Sequence, residues 1–365
     1  MKFKTNKNQL LETIQKVQNA VSPKTTLPIL SNMLLEARKN EVKVTATDLD
    51  MGISTTMPAT PEVEGAITLP AKKFLDIIKE LPNAGDILIY TKKNNITTIE
   101  SGKILFKIVG LPKDEFPQPP TLKNKDAITL PQGFLKNMIA MTSFAVSHDE
   151  TRYVLNGVLF VITGKTIKLV ATDGRRLAAI EKKLPKETIL ETKIIIPTKT
   201  IQELNRLLKE DGEVKLAFDE NQVLFDIAGT TVISRLIEGD FPGYEQVIPK
   251  EVKEKIIIDR DSFLAAAKRA SILTNQDSVA IKIDISRGKI SISKNTPYMG
   301  EVKEEVGVSY RGKDLTVGFN PNYIIEVLKA IDAKEIGFEL AESDKPGVIR
   351  IDSEYVYVVL PMQIT

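Results

Sequence analysis

The chain contains no cysteine and one histidine, His148, in 365 residues. The missing cysteines exclude disulfides, zinc–thiolate sites, iron–sulfur clusters and thiol nucleophiles. A lone histidine excludes any multi-histidine metal centre, and a Ser–His–Asp arrangement would have to rest on His148. Long apolar runs are also missing: residues 158–162 and 355–360 are far short of the roughly 20 residues a membrane-spanning helix needs. The opening Met1-Lys2-Phe3-Lys4-Thr5-Asn6-Lys7 has no signal-peptide stretch, so a cytoplasmic, reduced-compartment protein is expected. An excess of charge of one sign is absent too. Fifty Lys and Arg against 48 Asp and Glu leave a net +2, so the overall balance does not announce nucleic acid.

What is present is a repeat. A short apolar strand leading into an amphipathic helix occurs at residues 1–17, 127–146 and 255–273. A second such unit occurs at 66–81, 193–208 and 314–331. Corresponding segments lie roughly 120–130 residues apart, a domain-sized period rather than that of a solenoid. Three like domains argue for a geometric task, such as enclosing or spanning something, over a single buried reaction centre.

The helices carry their apolar residues at helical spacing: Leu10, Ile14, Val17 and Val21; Phe74, Ile77, Ile78 and Leu81; Ile201, Leu204 and Leu208; Ile324, Val327 and Ile331. Alternating segments at 41–47, 87–90, 104–109, 166–171, 213–218, 289–293 and 348–351 read as strands, joined by turns such as Asn94-Asn95 and Gly164-Lys165. Strands mostly follow strands, which predicts antiparallel sheets with helices on one face, an α+β class. Proline-dense linkers at 112–120 and 238–250, each with an acidic residue before Phe-Pro, place domain boundaries near Lys125 and Glu251. The expected domains are therefore 1–125, 126–250 and 251–365.

On the helices, Lys7, Lys16, Lys72, Lys73, Lys79, Lys136, Lys199, Arg206, Lys209, Arg260, Lys268, Arg269 and Lys329 outnumber Glu12, Asp76, Glu80, Glu203, Glu210, Asp261, Glu326 and Asp332. Such an excess suits phosphate, although a solvated helix face is the plainer reading.

The string Ala171-Thr172-Asp173-Gly174-Arg175-Arg176-Leu177-Ala178 reads first as a hairpin turn. Ala46-Thr47-Asp48-Leu49-Asp50 stands at the matching place in the first repeat, which supports a structural origin for the Thr-Asp pair. The paired arginines go beyond what a turn requires and suit a docking surface for acidic groups or backbone carbonyls. Asp48 and Asp50 share a strand face but lack a third ligand, so no metal is expected. Gly164-Lys165-Thr166 lacks the preceding glycine and following helix of a phosphate loop. His148-Asp149-Glu150 reads as a solvent-exposed end of a helix. In the C-terminal strand Pro361 stops the ladder and Met362 and Ile364 follow, an end fit to line a groove.

Taken together, these motifs resemble the bacterial DNA polymerase III beta subunit family, the replicative sliding clamps. The resemblance rests on Thr26-Leu27-Pro28-Ile29-Leu30-Ser31-Asn32, Thr47-Asp48-Leu49, Arg152-Tyr153-Val154-Leu155-Asn156-Gly157, residues 171–178, Asp240-Phe241-Pro242, Phe319-Asn320-Pro321-Asn322-Tyr323 and residues 358–362, and so covers the whole chain. It implies a DNA-clamp fold of three similar domains per chain and a head-to-tail homodimer. Helices would line the ring interior, with antiparallel sheets outside. It implies a processivity subunit with no catalysis, cofactor or metal, which encircles duplex DNA without reading sequence. The DNA-approaching positions would be Lys24, Lys72, Lys73, Tyr153, Lys199 and Arg206. A pocket for short linear motifs of the replicative polymerase, clamp loader and repair polymerases would be formed by Leu155, Thr172, Gly174, Arg175, Arg176, Leu177, Pro242, Val247, Asn320, Tyr323, Val358, Val359, Leu360, Pro361 and Met362. The dimer contact would set Phe106 and Ile108 against Ile272 and Leu273. Arg175 in place of a common histidine, Gln246, and the tail Gln363-Ile364-Thr365 depart from the family pattern and bear on the pocket's peptide preference. Two other functions stand beside this one: a nucleic-acid enzyme using Asp48, Asp50 and His148, and a passive repeat scaffold.

Overall fold

Six short strands run directly into six helices in the computed structural model, which describes residues 1–22, 26–83, 85–117, 122, 127–250 and 255–364. The helices are α1 (Lys7–Val17), α2 (Ala71–Glu80), α3 (Gln132–Ala140), α4 (Thr198–Leu207), α5 (Arg260–Ser271) and α6 (Pro321–Ala330). Short polar side chains start several of them. Asn6 accepts from Gln9 N, Asp259 from Ser262 N, and Asn320 from Asn322 N, each satisfying a backbone donor the first turn leaves open. Each buried face follows the periodicity: Leu10, Ile14 and Val17 on α1, Phe74, Leu75 and Ile78 on α2, Ile324, Val327 and Leu328 on α6. Val21 does not continue the α1 stripe, because a 3-10 turn (Gln18–Ala20) intervenes and shifts the period.

One device recurs in all three repeats. The first residue of the first helix reaches the C-terminal end of the second and satisfies backbone groups there. Lys7 Nζ donates to Lys79 O (2.6 Å), in the last turn of α2, and to Leu81 O (2.5 Å), just beyond it. Gln132 accepts from Lys209 N and donates to Glu213 O, past α4. Arg260 Nη1 donates to Leu328 O and Ile331 O, at the end of α6. Orphan carbonyls at a helix end attract cations, which explains two of the three choices.

The chain forms two compact units. The first, Met1–Lys136 with Gln202–Leu236, holds a five-stranded and an eight-stranded sheet. In the eight-stranded sheet the strand Met51–Pro58 pairs with Thr230–Arg235, and the hydroxyls of Thr55 and Thr230 meet at 2.9 Å. The second unit, Asn137–Ile201 with Ile237–Thr365, is built on a twelve-stranded sheet. There Arg176–Lys183 pairs with Tyr355–Val359. The strand pairings are antiparallel, as expected for this class. Sheets run through the repeats in both units, and the two units share the middle repeat between them. Lys125 and Glu251, residues 118–120 of the first linker, and Thr365 lie outside the described residues.

Predicted hairpins form where short turn signals stood. Thr163 N and O bond Thr166 O and N across Gly164-Lys165 at 2.9 and 3.2 Å. Asn95 takes φ 59°, a left-handed conformation that asparagine tolerates. In the second unit, a buried cluster of Leu155, Leu159, Val170, Leu177, Ala179, Ile195, Val348 and Val358 takes in Phe241 and Tyr244, and so draws the segment after Asp240 onto the sheet.

Candidate functional site

Two turns with the same hydrogen bonds occur in the two units. In the first, Thr47 Oγ1 donates to Met51 O (2.9 Å) and accepts from Leu49 N (3.1 Å), while Asp48 Oδ1 accepts from Asp50 N and Met51 N. In the second, Thr172 Oγ1 donates to Arg176 O (2.6 Å) and accepts from Gly174 N (3.1 Å), while Asp173 Oδ1 accepts from Arg175 N and Arg176 N. Thr and Asp are needed because each closes backbone donors locally. The parallel extends to the next strand over: Arg235 N donates to Asp50 O, and Leu360 N to Arg175 O. The middle residue is left-handed in both, with φ 81° at Leu49 and 84° at Gly174.

The turns differ at their fifth position. Met51 is a buried apolar side chain, whereas Arg176 is a buried cation, 8% exposed. Its guanidinium donates to Asp173 Oδ2 (3.1 Å), Phe144 O (2.5 Å) and Glu326, and lies 4.4 Å from the Tyr323 ring centroid. Burial opposes its charge, but the Glu326 hydrogen bond and the carboxylates of Glu326 and Asp173 outweigh it and hold the guanidinium above its ordinary value. Every partner is internal to the second unit, so Arg176 fixes the turn against α6. Arg175 is exposed.

Beside this turn lies a cavity of about 190 Å³. Its apolar walls are Leu155, Leu177, Val247, Val358 and Leu360, and Pro242, Gly243 and Tyr244 close one side. Thr172, Gly174, Arg175 and Arg176 form the rim. A Cβ added at Gly174 would meet only Arg152 Nη1, at 2.9 Å. Five residues expected here do not line the cavity. Val359 alternates with Val358 and faces the other side of the sheet, fully buried. Tyr323 stacks on Arg176, and Asn320 caps α6. Pro361 and Met362 run on toward Gly318, where Met362 N donates to Gly318 O and a side chain at Gly318 would meet Met362 O at 2.5 Å. Gly243 and Tyr244 were not anticipated. The aromatic pair in Phe241-Pro-Gly-Tyr244 was the available signal, since both rings enter the core (centroids 6.3 Å apart). Burial, then Glu245, pushes the Tyr244 hydroxyl far above its ordinary value.

The expected phosphate-facing side chains are dispersed over several elements. Lys24 lies outside the described residues. Lys72 and Lys73 are exposed on α2, Lys199 on α4, and Tyr153 (56% exposed) on the 3-10 turn Glu150–Leu155. Arg206 is engaged: it donates to Gln15 O and Lys16 O at the end of α1 and pairs with Glu203 at 2.6 Å. Lys7 and Arg260 serve the caps already described, Arg269 grips Glu304, and Lys136 and Lys16 pair with Glu210 and Glu12. Much of the helix-face positive charge is thus spent internally.

The strand Ile104–Val109 is the end strand of the five-stranded sheet, paired among the described residues only with Ile96–Ser101. It exposes Leu105, Phe106 and Val109 (53, 36 and 69%), with Ile108 half-buried. In the second unit Ile272 is 72% exposed and Leu273 half-buried, just past α5. In the turn Asp48 uses its carboxylate and Asp50 its backbone, and among the described residues no three His, Cys, Asp or Glu cluster as a metal site. His148 is exposed. Asp149 caps the following 3-10 turn, and its hydrogen bonds from Thr151 hold it below the usual carboxylate range. No helix among the described residues is long and apolar enough to cross a membrane.

Comparison with known proteins gives a consistent result. The family descriptions for the DNA polymerase III beta subunit match in order: N-terminal domain at 1–120, central domain at 129–243, C-terminal domain at 245–363. A beta sliding clamp of Staphylococcus aureus is 36% identical over 377 aligned positions, covering 100% of this chain and 99% of the relative. A sliding clamp of Bartonella birtlesii, solved bound to griselimycin, superposes with TM-score 0.95 at 32% identity, and one from Bacillus subtilis with 0.94 at 34%. Both cover each chain completely.

Proposed function

The chain belongs to the DNA polymerase III beta subunit family and has its three-domain clamp fold, and from that we propose that it is a DNA sliding clamp that makes the replicative polymerase processive. The carrying observation is the three family domains, matched in order over the whole chain. The protein acts by holding, with no reaction of its own, in the cytoplasm where the chromosome lies. Its three repeats divide near Lys125 and Glu251, and two chains join head to tail into a closed ring with helices inside.

The edge strand bearing Phe106 and Ile108 meets the Ile272–Leu273 segment of another copy, twice by symmetry. An exposed apolar edge strand is otherwise an aggregation hazard, so burial against a second copy accounts for it. Lys24, Lys72, Lys73, Tyr153 and Lys199 approach DNA. Arg206, tied to the α1 end, contributes its charge from a fixed position. Because many helix cations are already paired, attraction to phosphate stays weak and carries no sequence information, which suits a ring that must slide. Retention then comes from closure.

The cavity beside Gly174 takes apolar anchor residues of short linear motifs from the polymerase, clamp loader and repair polymerases. Met362 and the tail extend that surface beyond the cavity.

The test is retention on DNA. Protein loaded on a nicked circle should remain through gel filtration and be lost within minutes after the circle is linearised. Equal loss from circular and linear DNA would overturn the reading.

A further inference from the structure

The strand Lys289–Thr296 directs Ile290, Ile292, Lys294 and Thr296 in turn to one face, and all four are buried. A lysine in that row is unexpected. Lys294 is 4% exposed, and no carboxylate pairs with it among the described residues. Its ammonium donates instead to Ser278 Oγ (2.5 Å) and Ala280 O (2.9 Å). Burial pushes its pKa down, as desolvation of a cation does. A buried charge without a counterion is costly, so a fold that retains one uses its hydrogen bonds.

Both acceptors belong to the segment between α5 and the strand Ile281–Ser286, which begins with Ile272 and Leu273. Two neighbours of Lys294 hold the same segment. Thr296 Oγ1 donates to Leu273 O (2.5 Å), and Asn275 Nδ2 reaches Met299 Sδ at 3.8 Å. Asn275 Oδ1 in turn accepts from Asp277 N and Ser278 N, folding the segment tightly. The segment is therefore gripped at residues 273, 278 and 280 from a single strand. The grip leaves Ile272 projecting, with 72% of its surface exposed, from a fixed backbone.

We propose that Lys294 is a positioning residue for self-association: it clamps residues 272–280 so that Ile272 and Leu273 are presented rigidly to the edge strand of a second copy. The inference rests on the dimer contact proposed above. An apolar knuckle on a mobile loop would lose ordering entropy on every ring closure, whereas a pre-set one does not. Lys294, itself buried, acts through the segment it holds.

The experiment compares wild type, Lys294→Met and Thr296→Val by sedimentation velocity over a dilution series, with amide hydrogen exchange of residues 272–280. Methionine fills the lysine volume and removes the unpaired charge, so K294M should melt at or above the wild-type temperature. Its dimer dissociation constant should nevertheless rise at least tenfold, with exchange faster in that segment alone. T296V, which removes only the hydroxyl on Leu273 O, should show a smaller rise of the same kind, and it carries the test if K294M does not fold. A dimer constant within twofold of wild type in a folded variant overturns the inference and leaves the dimer standing. A wild type monomeric throughout the series overturns both.

Discussion

An L-residue forced into the left-handed region costs about 1 kcal/mol or more, and Leu49 sits there at φ 81° while its counterpart Gly174 does so freely. Leu49→Gly should therefore raise the stability of the first unit by roughly 0.5–1 kcal/mol, net of the entropy glycine adds to the unfolded chain, in urea titration. Arg176 is the other decisive side chain. Arg176→Met leaves Asp173 and Glu326 facing each other without their cation, and should cost about 2–3 kcal/mol, discounted because Glu326 is partly exposed. It should also abolish peptide binding to the cavity in a fluorescence-anisotropy titration, although Arg176 need not touch the peptide. A third expectation concerns alkali. Burial raises the folded-state pKa values of Tyr244, Tyr323, Tyr355 and Tyr357. A group whose folded pKa is raised gives stability that is complete below its unfolded value, near 10 for tyrosine, and lost as pH rises above it. Absorbance at 295 nm should then show these four ionising together with unfolding, and not before it. Sequence reading reached the Thr-Asp pair and its repeat, because the bonds it makes are local. The internal contacts of Arg176 were not legible, because its partners Phe144 and Glu326 lie 32 and 150 residues away.

At the level of the element, helix and strand positions were legible because apolar spacing is a local property, and the strand-to-helix units stand where the pattern put them, except that α3 ends at Ala140, short of residue 146. What the helix cations touch was not legible, for the same reason. Lys7, Arg206 and Arg260 look like free surface cations in sequence, yet each closes carbonyls at the end of a helix or just beyond it. Arg260 reaches 68 and 71 residues along the chain, a separation no periodicity reports. Arg260→Ala should cost about 1–2 kcal/mol, the upper range for a partly buried cation at the C-terminal end of a helix, and should fray the end of α6. Hydrogen exchange at residues 329–332 should quicken while that of α1 does not change. Equal exchange at both would mean the cap is idle. The cavity was mostly legible through the family resemblance, but Tyr244 was not, since its role follows from a packed ring rather than from a motif.

For the whole molecule, the proposed ring depends on two exposed apolar patches, one on each unit. Phe106→Asp places a carboxylate on the edge strand, at a side chain that is 36% exposed and lies outside the buried core. Light scattering should show the dimer constant raised by about 100-fold, or roughly 2.7 kcal/mol, with the melting temperature of the chain nearly unchanged. Threefold repetition was plain in the sequence. The joining of repeats into continuous sheets was not, because strand pairing between distant segments leaves no periodic trace. That joining has a consequence during synthesis. The strand Met51–Pro58 acquires its outer neighbour only when residues 230–235 are made, and Thr55 waits 175 residues for Thr230. At about 5–20 residues per second the ribosome leaves that edge bare for roughly 10–35 s. The second unit repeats the delay, since the strand Arg176–Lys183 must await Tyr355–Val359, which are made much later. A nascent chain of this design spends most of its time on the ribosome as an unfinished sheet, so its yield in the cell should depend on ribosome-bound chaperones that shield open edges more than on the stability of the finished protein.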